Sequence, residues 1–141
     1  MRIKINFPAE FVFSIHIPVR ITDINYGGHV GNDRILAYVQ EARMAYFAQW
    51  GWSEMNAGGC GMIMADSAIQ YTGEAFYGDV IKAEICVGNI STVAFDLYYR
   101  LTTTRDGLEK EIARIKTGMV CFDYTHRSMM PISEVLRQKI A

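Results

Sequence analysis

The sequence predicts an α+β fold: one domain over residues 1–141, in which a curved antiparallel sheet wraps around one long central helix. Three observations predict it. A single apolar stripe at helical spacing occupies residues 32–50, an alternating strand precedes it, and four strand-like runs follow with no second long helix among them. A sheet with one apolar face must cover that face with another layer, and one helix held in a curled sheet is such a solution. Neither repeats nor a linker divide the chain, whose length suits one domain.

The elements follow in order. Residues 11–21 read FVFSIHIPVRI, in which Phe11, Phe13, Ile15, Ile17, Val19 and Ile21 share one parity. That is the period of a half-buried strand. Pro18 has no N–H for a ladder, so the strand is an edge or is bulged there. Residues 22–31, TDINYGGHVG, combine glycines with Asp and Asn and read as a loop. Beyond it Ile35, Val39, Ala42 and Tyr46 recur at helical spacing, and Leu36, Tyr38, Ala45 and Phe47 widen the stripe. A helix so apolar is expected to be wrapped on most sides. Asn32 or Asp33 can cap its start, and Gly51 ends it. After a glycine-bearing connection over 53–61, residues 62–71, 79–88, 93–104 and 109–124 read as strands, with Asp106-Gly107 as a hairpin turn. Pro131 closes the sheet region, and 132–140 is expected to form a short helix.

Composition narrows the function. Half the residues are hydrophobic and 21% charged, as in soluble globular proteins. A net charge of −1 with no run of one sign argues against a dedicated nucleic-acid binder, which needs a basic patch. Cys60, Cys86 and Cys121 form no disulfide framework and read as small buried hydrophobes in a reducing compartment. No long apolar stretch follows Arg2 and Lys4, and none approaches the roughly 20 apolar residues of a membrane span. A cytoplasmic location is expected. His16 and His126 lie near no acidic pair, and no metal-ligand spacing, P-loop or dinucleotide fingerprint occurs, so neither metal nor cofactor is expected.

The segment Asp23-Ile24-Asn25-Tyr26-Gly27-Gly28-His29-Val30-Gly31-Asn32, followed by Tyr38 and Gln40-Glu41-Ala42-Arg43, resembles the hotdog thioesterases of the 4-hydroxybenzoyl-CoA thioesterase type. Those proteins carry a D-x-D-x-x-G-H-V-N-N-like loop ahead of a helix with Tyr and Glu-x-Arg-like residues. The resemblance covers most of the chain and includes Gly78-Asp79-Val80 at the head of a strand. It implies a hotdog fold, a homodimer or homotetramer, and hydrolysis of acyl thioesters carried on coenzyme A or acyl-carrier protein. It also implies that the thioester carbonyl points at backbone N–H groups near Gly31, Asn32 and Asp33. Donors fixed in advance at a helix N-terminus suit a developing oxyanion.

Aligned without gaps, Asp23 falls on the family's first Asp and Asn25 on its second, the catalytic one in many members. An amide accepts no proton as a carboxylate does. Plant-type acyl-carrier-protein thioesterases carry a D-x-N-x-x-H-V-N-N-like loop, in which Asn and His act together. By that resemblance His29 is the base and Asn25 orients the water or the thioester. Each residue also has a structural reading: Asn25 capping its own turn, His29 bonding near the helix start, Asp23 shaping the loop. Glu41 lies about 13 Å along the helix from Asn32 at ~1.5 Å per residue, so a structural pairing, with Arg43 or a loop group, is expected. Asp66, on the second strand, which borders the partner's site in hotdog dimers, is a reserve carboxylate.

The aromatic residues Tyr38, Tyr46, Phe47, Trp50 and Trp52 read as core that can also line an acyl pocket. Many relatives place phosphate-binding cations at the turn that corresponds to residues 89–93, which here is Asn-Ile-Ser-Thr-Val. Lys82, Arg100, Arg114 and Lys116 remain as strand candidates, and the carrier stays open. Two other functions stay open: an acyl-CoA-binding module without catalysis, and a hotdog dehydratase or hydratase.

Overall fold

A computed structural model describes residues 1–141. In chain order it holds β1 (Phe13–Pro18), α1 (Ile35–Ala48), β2 (Gly61–Tyr71), β3 (Val80–Gly88), β4 (Ala94–Arg105), β5 (Leu108–Asp123), β6 (Ser128–Met129) and α2 (Glu134–Ile140), with 3-10 turns at Ile21–Asp23 and Asn32–Arg34. The strands pair antiparallel in the order β1-β3-β4-β5-β2, and the short β6 adds to β5. The sheet curls around α1 in the hotdog arrangement.

The stripe read from the sequence faces the sheet: Ile35, Val39, Ala42 and Tyr46 are buried, as are Tyr38 and Phe47. Phe13, Tyr46, Phe47, Trp50 and Trp52 pack their rings edge to face or tilted at the C-terminal end of α1. Such contacts add to area burial. The helix is less enclosed than its apolar content suggests. Ala37, Gln40, Glu41, Met44 and Ala48 are exposed, because the sheet is a half-barrel that covers one side only.

Pro18 sits on β1, an edge strand, where its missing N–H costs no ladder bond. Asp106 and Gly107, at φ 55° and 74°, make the turn between β4 and β5. Gly51, at φ 73°, closes the end of α1 by donating to Ala48 O at 3.0 Å. Capping differs from expectation. Neither Asn32 nor Asp33 accepts a bond as N-cap; the chain enters α1 through a 3-10 turn in which Arg34 N–H donates to Gly31 O at 2.9 Å.

The outer face of the sheet is polar and closely paired. Arg100 lies 2.8 Å from Glu111 and 3.0 Å from Glu109, Arg114 lies 2.8 Å from Glu111, and Lys116 lies 2.8 Å from Asp66. The N-terminal segment crosses this face, a role the sequence does not announce. Ile5 N–H donates to Gln70 Oε1, Arg114 Nη1 donates to Ile5 O, and the Arg114 guanidinium lies over the Phe7 ring. Cys60, Cys86 and Cys121 are buried free thiols. No helix is long and apolar enough to cross a membrane.

Candidate functional site

The loop before α1 is a compact hairpin of its own. Ile24 and Val30 form a bridge, Asn25 N–H donates to His29 O at 2.9 Å, and Asn25 Oδ1 accepts from Gly27 N–H at 2.9 Å. Gly28 takes φ 86°, a conformation that costs other residues strain. A Cβ on Gly27 would stand 3.2 Å from Asn25 Oδ1 and 3.5 Å from His29 Nε2, so the two side chains converge over that glycine.

The loop is tied down from below. Asp23 Oδ2 accepts from Arg20 N–H at 3.0 Å and from the Tyr38 hydroxyl at 2.5 Å. Burial, and then the Asp23 carboxylate, push the Tyr38 phenol well above its ordinary range, so it stays a donor. Asp23 thus fastens the loop to α1 and does not face the cleft.

A second segment, the connection between β2 and β3, borders the loop. Thr72 and Gly73 both donate to Ile112 O at 3.0 Å. Gly73 lies so close to Glu111 O that any Cβ there would collide with it. Val30 N–H donates to Ala75 O at 2.8 Å, which joins connection to loop. Arg105 holds the far side: its Nη2 donates to Asp79 Oδ2 at 2.7 Å and to Glu74 O at 3.1 Å, and its guanidinium lies 4.9 Å from the Phe76 ring centre. Burial alone would raise the Asp79 carboxyl, but the hydrogen bonds from Arg105 and Phe76 N–H outweigh it and hold Asp79 below the usual carboxylate range.

Between loop and connection lies a cleft of about 360 Å³ whose walls include His29, Asn32, Ile35, Tyr71, Glu74 and Ile112. His29 Nδ1 is 3.1 Å from Val30 O. A carbonyl only accepts, so this contact places the proton on Nδ1 and leaves the Nε2 lone pair free in the neutral ring. His29 Nε2 lies 3.8 Å from Glu74 Oε1. The backbone N–H groups of Asn32 and Asp33 make no bond within the chain, as the first donors of a helix cannot.

Of the residues singled out in the sequence, His29 and Asn32 line this cleft; Asn25 does not, and its Oδ1 accepts from Gly27 N–H. Gly31 does not serve as a donor, because its N–H is already given to Asp23 O at 3.0 Å. Asp33 turns its carboxylate back over Gly31, where a Cβ would lie 2.5 Å from Asp33 Oδ1. Glu41 pairs with Arg20 at 3.6 Å on the exposed side of α1, and Arg43 pairs instead with Glu54. Asp66 is bound to Lys116 Nζ and Gly118 N–H on the outer face; the Lys116 hydrogen bond leads in lowering its pKa. Glu74 is the residue that sequence reasoning missed. Its one local sign is a Gly-Glu pair in the short connection between strands.

Comparison with known proteins agrees with the fold. The family model described as thioesterase-like superfamily matches residues 19–140. Among solved structures, a candidate thioesterase from Pseudomonas aeruginosa superposes with a TM-score of 0.82 at 25% identity, over 94% of this chain and 100% of that one. The 1,4-dihydroxy-2-naphthoyl-CoA thioesterase from Synechocystis superposes with a TM-score of 0.79 at 19% identity, over 91% and 94%. An aspartate-to-asparagine mutant of 4-hydroxybenzoyl-CoA thioesterase, in complex with 4-hydroxybenzoyl-CoA, superposes with a TM-score of 0.81 at 16% identity, over 92% and 98%. No curated protein matches the sequence.

Proposed function

Since the chain belongs to the thioesterase-like superfamily, we propose that it hydrolyses acyl thioesters, with water attacking the carbonyl carbon in the cleft between the 22–31 loop and the β2–β3 connection. One observation carries this reading: an imidazole with its Nε2 lone pair unspent stands beside backbone donors that have no acceptor. That is the pair of functions acyl transfer to water requires, a base and an oxyanion site.

In the proposed sequence His29 Nε2 removes a proton from water as the water oxygen bonds to the carbonyl carbon. The Asn32 and Asp33 N–H groups receive the oxyanion. Collapse of the tetrahedral adduct breaks the C–S bond, and the His29 imidazolium returns its proton to the departing thiolate. Glu74 Oε1 lies 3.8 Å from His29 Nε2 and faces the ring across the cleft. Asn25 is a positioning residue: its Oδ1 shapes the turn that carries His29, and Asp23 anchors that turn through Tyr38.

Thiol release from a panel of short, long and aromatic acyl-CoAs tests the reading. Turnover on some member, reduced at least about tenfold in His29→Ala, is the expected outcome. Full activity in His29→Ala would remove the assigned base. One observation favours a second reading, an acyl-CoA-binding module: the family's catalytic carboxylate position holds Asn25, an amide. Thermal stabilisation by acyl-CoA without turnover would mark that outcome. We also infer a homodimer, because the outer edge of β2 is unpaired and a second copy can continue the sheet there; light scattering measures it.

A further inference from the structure

Most cations on the outer face of the sheet are in close ion pairs; Lys82 is not. Arg100, Arg114 and Lys116 each lie 2.8 Å from a carboxylate, whereas Lys82 Nζ comes no nearer than 3.8 Å, to Glu84, which also lies 3.7 Å from Arg100. His16, Lys82 and Thr102 stand in register across β1, β3 and β4 and line a hollow of about 410 Å³ with Thr104 and Glu109. The side chains of His16, Thr102 and Thr104 make no hydrogen bond within the chain.

Thr102 is the telling residue. It is only 2% exposed, yet its hydroxyl has no partner. No side-chain polar atom sealed from solvent lacks a partner in this protein, so the Thr102 oxygen must reach the hollow it lines. An ammonium, an imidazole and two hydroxyls form a set of donors around one space. Such a set suits a phosphate ester. The carboxylate at the rim, Glu109, is neutralised by Arg100 Nη2 at 3.0 Å.

The hollow also continues toward the cleft. Glu109 is shared with a neighbouring depression lined by Thr72, Glu74, Arg105 and Lys110, and that depression shares Gly73 and Glu74 with the thioester cleft. The acyl site and the unspent donors thus border one intervening depression, with which each shares lining residues. A coenzyme A thioester has this form, a reactive carbonyl at one end of a long arm and phosphates at the other. The turn over residues 89–93 holds no cation of its own, and the Arg137 guanidinium beside it is given to Ser91 O at 2.8 Å.

We infer that the hollow of His16, Lys82, Thr102 and Thr104 takes the nucleotide phosphates of a coenzyme A thioester whose acyl end lies in the His29 cleft. The assignment rests on the thioesterase reading for the acyl end, but the phosphate site is testable without any turnover.

The test is calorimetric titration of the full chain with adenosine 3′,5′-bisphosphate, the phosphate end of coenzyme A without its thiol, and separately with 4′-phosphopantetheine. The bisphosphate is expected to bind the native protein and to bind Lys82→Glu about tenfold or more weaker, with a smaller loss in the isosteric Thr102→Val. Thermal melts identify any variant that fails to fold, and Lys82→Gln then replaces Lys82→Glu. No binding to the native protein, or equal binding to folded variants, overturns the proposal. Binding of phosphopantetheine in place of the bisphosphate overturns the coenzyme A assignment in favour of a carrier protein. In kinetics, the ratio of kcat/KM for an acyl-CoA to that for the matching N-acetylcysteamine thioester should fall about tenfold in Lys82→Glu. If no thioester is hydrolysed while bisphosphate binding still depends on Lys82, the hydrolysis reading fails and the phosphate site stands.

Discussion

At Arg43 the protein buries a guanidinium and surrounds it with partners: Nε donates to Glu54 Oε1 at 2.6 Å, Nη1 donates to the Tyr99 hydroxyl at 3.2 Å, and that hydroxyl meets Thr117 Oγ1 at 2.8 Å. At His29 it does the reverse. The ring is half exposed, Nε2 stops 3.8 Å short of Glu74, and two backbone donors nearby have no acceptor. Both constellations flank α1. The difference shows how the molecule divides its polar groups. Those in the interior are satisfied, because an unpaired buried donor costs about 1–3 kcal/mol. Those left unsatisfied stand where a ligand can reach them.

The comparison breaks most visibly in rate. His29→Ala should lower kcat for a good acyl-CoA substrate by about 10²–10⁴, while the melting temperature moves no more than a few degrees, as for other partly exposed substitutions. Thiol release and a thermal melt on the same preparation measure both. A large loss of stability with a modest loss of rate would put His29 in the structural class.

Arg43→Met should do the opposite. Glu54 and Tyr99 would lose their shared donor, and stability should fall by about 3 kcal/mol, near the low end for a broken buried pair because Glu54 retains some solvent. Urea unfolding measures it, and kcat per folded molecule should hold. Asn25→Ala is smaller still. Without Oδ1 the Gly27 N–H loses its acceptor, the turn carrying His29 loosens, and the rate should fall about tenfold. Asn25→Asp keeps the acceptor and should recover much of the loss; failure to recover would mean that the Asn25 NH₂ group, not the turn, matters.

The half of this comparison that depends on local pattern was legible in the sequence. Ile35, Val39, Ala42 and Tyr46 are buried as their spacing requires, and Asp106-Gly107 turns where the dipeptide marks it. The loop around Asn25 and His29 was legible through its glycines and its resemblance to a known motif. What escaped was set by distant chain approach. Glu74 meets His29 because Gly73 lets the connection close onto β5 and because Val30 bonds to Ala75, and no periodicity reports either event. Glu41 is expected to pair with Arg43 or with a loop group, but Arg43 stands only two residues along the helix and does not share its face. The structure turns Arg43 inward to Glu54 and Glu41 outward to Arg20. The resemblance places Gly31 among the backbone donors, but the hairpin below it uses that N–H first.

The smallest expected effect sits between the two classes. Arg105 and Asp79 are paired, yet partly exposed, and they brace the connection that carries Glu74. The folded pKa of Asp79 lies below its unfolded value, burial opposing the shift and the Arg105 and Phe76 hydrogen bonds prevailing. A depressed carboxylate adds stability that is complete above its unfolded pKa, about 4, and that is lost as pH falls through the folded value. Because solvent screens the pair, the contribution should be under about 1 kcal/mol. Urea midpoints between pH 3 and 6 should therefore fall more steeply toward acid in the native chain than in Asp79→Asn, where the group no longer titrates. Equal slopes would show that the Asp79 carboxylate adds no pH-dependent stability and that the connection is held by its backbone bonds to Ile112 and Val30 and by Arg105 on Glu74 O.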